Sequence, residues 1–131
     1  MRLIKIIGAI CAFVGGIFII YIYFAGVNLI VENNSGEGIH NIEIKYGIGI
    51  YAVDSIQHKE IIKKSIGKIG EGATFDVQWK ERSGLNRQAQ FNVYFYGHSG
   101  YDSVRILILP HGEIELYEGK RLYKPDTINN T

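Results

Sequence analysis

Cysteine occurs once, proline twice and tryptophan once in these 131 residues. The single thiol, Cys11, sits inside a run without charge, so the chain beyond that run can form no disulfide. It must hold itself together by apolar burial. An excess of basic charge is also missing. Arg2 and Lys5 are two of the 14 basic residues and precede the run, whereas all 13 acidic residues follow it. The remainder is therefore near neutral and slightly acidic, which argues against nucleic-acid binding, a function that needs a basic field. Neither an internal repeat nor a long low-complexity tract is present.

Catalytic and metal-binding patterns are equally scarce. Gly97-His98-Ser99-Gly100-Tyr101 comes nearest to a nucleophile elbow, but Tyr101 stands where G-x-S-x-G requires glycine. Its setting reads as a hairpin between strands, where Gly and Ser serve the turn. The four histidines, His40, His58, His98 and His111, show no H-x-x-x-H spacing. Counting strands up and down places His40, His58 and His111 together at the end far from the N-terminal run, which alone does not make a site. The carboxylates are scattered singly, at Glu43, Glu60, Glu71, Asp76, Glu113 and Glu115. No catalytic residue, cofactor or metal is expected.

What is present begins with Ile6 to Val27, a stretch without one charged side chain. About 20 apolar residues in a helix span a bilayer's hydrocarbon core. A cleaved signal has a shorter apolar region and a small-x-small site, but Tyr23 and Phe24 occupy the positions before Ala25 and Gly26. A lipoprotein signal needs a small residue before its cysteine, and Ile10 precedes Cys11. The segment thus predicts an uncleaved, single-pass transmembrane helix over 6–27, after a cytoplasmic flank at 1–5. No Lys or Arg follows until Lys45, so the positive-inside rule exports the C-terminal part from the cytoplasm. Gly8, Ala12 and Gly16 fall on one helix face at the spacing that lets membrane helices approach closely, which allows homo-oligomerisation through the anchor.

Beyond the run, residues 28–122 read as one domain of about 100 residues. Period-two alternation dominates: Ile42, Ile44 and Tyr46 against Glu43 and Lys45, then Phe75, Val77 and Trp79 against Asp76, Gln78 and Lys80. Ala89, Phe91 and Val93, then Val104, Ile106 and Ile108, continue it, and Pro110-His111-Gly112 reverses the chain into Ile114 and Leu116. Lys59 to Ile69 is ambiguous, and its β-branched residues favour a strand followed by a turn. Seven or eight short strands predict an all-β, antiparallel sandwich of immunoglobulin-like type with Trp79 in its core; a small barrel is the alternative. Residues 123–131 read as a flexible tail. Asn33-Asn34-Ser35 and Asn129-Asn130-Thr131 match the glycosylation acceptor pattern, one that chance produces often.

Tyrosine supplies the one mild excess. Tyr94, Tyr96, Tyr101 and Tyr117 are the candidate partner-contact residues, because exposed tyrosines give contact area at small entropy cost. Lys63, Lys64 and Lys68, with Lys120, Arg121 and Lys124, read as solvated surface, with anionic lipid headgroups as the less favoured reading. The expected function is a membrane-anchored, non-enzymatic extracytoplasmic module that holds a protein partner at the cell envelope. An assembly subunit of an envelope complex and an anchored immunity protein against an exported toxin are the alternatives.

Overall fold

A computed structural model describes residues 2–24, 27–67, 72–94 and 103–130, with the side chains of the N-terminal helix described as far as residue 18. That helix, α1, runs Arg2–Phe24. Among the described residues no helix is long and apolar enough to cross a membrane. The described structure therefore does not carry the transmembrane helix expected over 6–27.

Among the described residues ten strands follow: β1 Asn28–Asn33, β2 Ile39–Tyr46, β3 Gly49–Ile56, β4 Ile61–Ser65, β5 Gly72–Lys80, β6 Asn86–Tyr94, β7 Ser103–Ile108, β8 Ile114–Glu118, β9 Arg121–Tyr123 and β10 Thr127–Asn130. They form two five-stranded sheets, ordered β4-β1-β7-β8-β9 and β10-β6-β5-β2-β3. The chain is mostly β and sandwich-like. Alternation is the cause: Leu29, Val31, Val104, Ile106, Ile108 and Leu116 of the first sheet are buried together with Ile42, Ile44, Phe75, Val77, Phe91 and Val93 of the second. Burying one face of each sheet supplies the driving force that no disulfide provides.

Three details depart from the sequence-based expectation. Not every pair is antiparallel, since β1 and β7 run parallel, Asn28 beside Ser103 and Asn33 beside Ile108. Alternation assigns a strand's buried face but not its neighbour, and β1 leaves at once for the second sheet, so another strand closes beside it. The 123–131 segment is not a free tail either, because β10 pairs with β6 from Thr127–Gln90 to Asn130–Arg87. A polar edge strand gains its stability from ladder hydrogen bonds, which apolar periodicity cannot reveal. The third departure is a bulge in β2 at Asn41, φ 50, which shifts the register against β5 between His40 and Glu43. The extra residue lets both Ile39 and Ile42 point inward. Residues 61–65 are a strand, as their β-branched content predicts.

The two ends of the sandwich differ. Asn33, at the end of β1, is wholly buried and fixes one of them. Its amide donates to the carbonyls of Glu37 (2.7 Å) and Ile56 (2.9 Å), while its oxygen accepts from the Ser35 amide and hydroxyl. The start of β2, the end of β3 and the start of β4 all gather there. The opposite end holds Val27, bonded to Ile66 and Gly67 after β4, and also the β2–β3 hairpin tip. We call these the Asn33 end and the helix end, because α1 enters β1 at the latter.

Candidate functional site

Partner-contact candidates are best judged by which outer sheet face each one occupies, since cross-strand partners share a face. On the first sheet the register aligns Lys63, Ile30, Arg105, Tyr117 and Leu122 in one row. Ile61, Glu32, Leu107 and Glu115 form the next row. Tyr117 is half-buried on β8, next to the edge strand, between Arg105 and the exposed Leu122 in its row, with Leu107 of β7 in the next row. Two ion pairs cross the face. Arg105 donates to Glu32, and the Lys124 ammonium lies 2.9 Å from Glu115. The Glu115 hydrogen bond is the main cause that raises the Lys124 pKa. Tyr117 and Leu122 supply aromatic and apolar contact area, and the charged pairs around them suit the polar rim of an interface.

Tyr94 lies elsewhere. It is 58 % exposed at the end of β6, on the outer face of the second sheet, beyond the Thr74–Asn92 side-chain hydrogen bond. The Tyr123 hydroxyl, reaching across from β9, meets its backbone by donating to the Tyr94 carbonyl at 3.2 Å. Tyr94 and Tyr117 thus belong to different surfaces, and Tyr96 and Tyr101 lie outside the described residues. Sequence alternation does not separate Tyr94 from Tyr117 because it cannot tell which sheet a strand joins. Apolar positions in the non-core phase of β1, β7 and β9, at Ile30, Leu107 and Leu122, were the available signal for the Tyr117 face.

Apart from Ile50 near the β2–β3 tip, the rest of the second sheet's outer face is mainly polar among the described residues. Gln88 donates to both Asp76 carboxylate oxygens at 3.1 Å, and Lys45 pairs with Glu43 at 3.4 Å. A shallow depression lined by Asn41, Glu43, Gln78, Lys80, Gln88 and Asn129 lies on this face. Its amides and charges converge on no nucleophile.

At the Asn33 end, Arg87 and Glu81 form a largely buried ion pair at 2.8 Å. The Arg87 guanidinium lies against Gly112, where any Cβ would collide with it, so the 110–112 turn needs glycine both for this contact and for its φ of 73. His111 adopts φ 64 in the same turn. The Nδ1 of His58 accepts the Gly36 amide at 3.0 Å. His40, His58 and His111 do share this end, as strand counting predicts. Among the described residues, however, no group of three His, Cys, Asp or Glu side chains could hold a metal ion. His98 lies outside the described residues.

On α1, Gly8 and Ala12 are exposed and Gly16 is half-exposed. A Cβ placed on Gly8 or Gly16 would meet nothing within 4 Å among the described residues.

No family model matches the chain, and no curated protein matches its sequence. Among solved structures it is similar to an NMR structure of a protein from Eubacterium rectale. The two are 18 % identical, with 74 % of this chain and 91 % of that chain covered and a TM-score of 0.49. Similarity at that level informs neither the fold nor the function assigned here.

Proposed function

We propose that this chain is a membrane-attached, non-enzymatic binding module that holds a protein partner outside the cytoplasm. The observation that carries the reading is the surface of α1. Ile6, Ile7, Ile10, Phe13, Val14, Ile17 and Phe18 are each more than half exposed. A helix apolar on every side belongs in a low-dielectric medium, not in water. In the sequence the charge-free run continues from residue 18 to Val27, which brings it to the length a bilayer needs. Arg2 and Lys5 on its N-terminal side favour a cytoplasmic N-terminus and an exported domain. The two-sheet packing around Trp79 supports an immunoglobulin-like display scaffold, from which the parallel β1–β7 pair departs.

Attachment has a direct test. Ile10→Lys combined with Val14→Lys places two ammonium groups in mid-helix, each costing about 2.5–3.5 kcal/mol at a bilayer centre. The wild-type chain should stay in the membrane pellet after alkaline carbonate washing, and the double variant should leave it. Extraction of the wild type by carbonate would defeat the anchor.

The partner surface is the Tyr117 face. Tyr117→Ala with Leu122→Ala should weaken partner capture by at least 2 kcal/mol, roughly 30-fold, if these residues are hot spots. A photoreactive side chain at position 117 in intact membranes should yield a discrete cross-linked protein. The same group at Gln88, on the opposite face, should not. Equal yields from both sites would remove the Tyr117 face from consideration.

The open stripe at Gly8, Ala12 and Gly16 favours a second reading, an assembly subunit that pairs through its helix. Gly8→Leu with Gly16→Leu would then convert a detergent-solubilised oligomer to monomer, which the first reading does not require.

A further inference from the structure

Among the described residues, the most exposed apolar side chain of the domain sits on a braced hairpin rather than a loose loop. Tyr46 pairs with Gly49, leaving Gly47 and Ile48 as the two loop residues, and Gly47 takes a φ of 53. The Tyr46 ring covers Gly49, where any Cβ would collide with it. The same ring stacks on the buried Phe75 at 6.3 Å between centroids. Ile48 is nevertheless fully exposed, and Ile50 beside it is 64 % exposed. Hairpin tips ordinarily carry Asn, Asp, Ser or Gly, which water solvates readily. A β-branched apolar residue held rigidly outward has no structural role at this tip.

Strand direction fixes which end this is. The Ile48 tip lies opposite the Asn33 end, alongside Val27, and therefore at the end where α1 enters β1. Lys45 pairs across the ladder with Ile50, Lys64 lies near the exit of β4, and Lys120 and Arg121 make the β8–β9 turn. Among the described acidic residues, Glu43 pairs with Lys45 at 3.4 Å, Asp76 stands opposite Lys45 in the β2–β5 ladder and Glu118 stands opposite Arg121, so Lys64 and Lys120 are the basic groups left to meet a partner at this end. An exposed apolar tip at the end where the apolar helix joins, with Lys64 (its ammonium 5.9 Å from the Tyr51 ring) and Lys120 at the same end of the sandwich, matches the two components of a bilayer surface. Acyl chains accept isoleucine, and anionic headgroups accept ammonium.

From this we infer that the helix end of the sandwich docks on the membrane, with Ile48 entering the acyl boundary and Lys64 and Lys120 meeting anionic headgroups. The inference rests on the membrane attachment proposed above. Docking would fix the domain upright, with the Asn33 end outward and the Tyr117 face perpendicular to the bilayer, open to a partner approaching along it.

The full chain carrying Cys11→Ala and Ile48→Cys, labelled with an environment-sensitive NBD dye, is reconstituted into phosphatidylcholine vesicles with one third phosphatidylglycerol. Dye emission should be blue-shifted and several-fold brighter than from a label at Arg82→Cys, in the turn at the Asn33 end. Nitroxide-bearing lipids should quench the first label and spare the second. Adding Lys64→Glu and Lys120→Glu should abolish the difference. Water-like emission at position 48, in protein that floats with the vesicles, overturns docking and leaves attachment standing. Failure to float overturns attachment itself. Bright emission that nitroxide lipids do not quench means that a second copy covers the tip, and docking on lipid is then wrong. An equal signal in pure phosphatidylcholine overturns the role of the lysines. Unchanged Trp79 emission in the labelled variants shows that they remain folded.

Discussion

Trp79→Ala should cost the domain about 3–5 kcal/mol, the range for deleting a large core aromatic. Trp79 is 3 % exposed on β5, in the buried phase shared by Phe75 and Val77. Its ladder partner is Arg87, whose guanidinium turns to Glu81 and the Gly112 backbone and closes the Asn33 end of the core. Removing the indole would leave a cavity beneath that lid, and a lid tied to Glu81 cannot collapse far to fill it. A domain of this size holds about 5–15 kcal/mol in total, so the variant should be marginal at best. Urea denaturation followed by circular dichroism measures the loss. As the sole tryptophan, Trp79 also reports on the wild type, whose emission should be blue-shifted and should move red on unfolding. Emission of a fully hydrated indole from the folded protein would contradict its placement.

Asn33→Leu should be the next most damaging change described here, at about 3 kcal/mol. The substitution keeps the volume but deletes four side-chain hydrogen bonds, to Glu37, Ile56 and twice to Ser35. The Ile56 bond is buried, and stranding a buried carbonyl costs about 1–3 kcal/mol. The loss also loosens a junction, because the Asn33 backbone bonds Lys59 and Glu60 and the neighbouring Asn34 amide bonds Ile108. Faster hydrogen exchange at Ser35 and Lys59 should accompany the lower denaturation midpoint. An unchanged midpoint would show that the network contributes no net stability. The same burial settles how the Asn33-Asn34-Ser35 match is used in this fold. The amide nitrogen that a glycan would need is already bonded in the interior.

Asn33 also marks where a local reading stops. A turn cluster of Asn, Ser and Gly is legible in the sequence, and the structure does turn there. That one of those asparagines would become the buried hub for three other chain segments is not legible, because its partners lie as far as 23 residues away. The same holds for Tyr94 and Tyr117. Each is recognisably outside the core phase of its strand, but only sheet membership separates them onto opposite faces.

What the sequence by itself determined is whatever depends on near neighbours. Period-two alternation identified the core residues of β2, β5, β6, β7 and β8 and the burial of Trp79, because side-chain direction in a strand depends only on position along it. The charge-free run over 6–27 was visible for the same reason. Tertiary structure alone decided the parallel β1–β7 pair, the capture of 127–130 by β6 and the Arg87 lid over Gly112. It also placed the Ile48 tip at the helix end. A strand carries the same row of amides and carbonyls on both edges whatever its side chains are. Which neighbour it takes is therefore settled by the packing of the whole sandwich and not by its own residues.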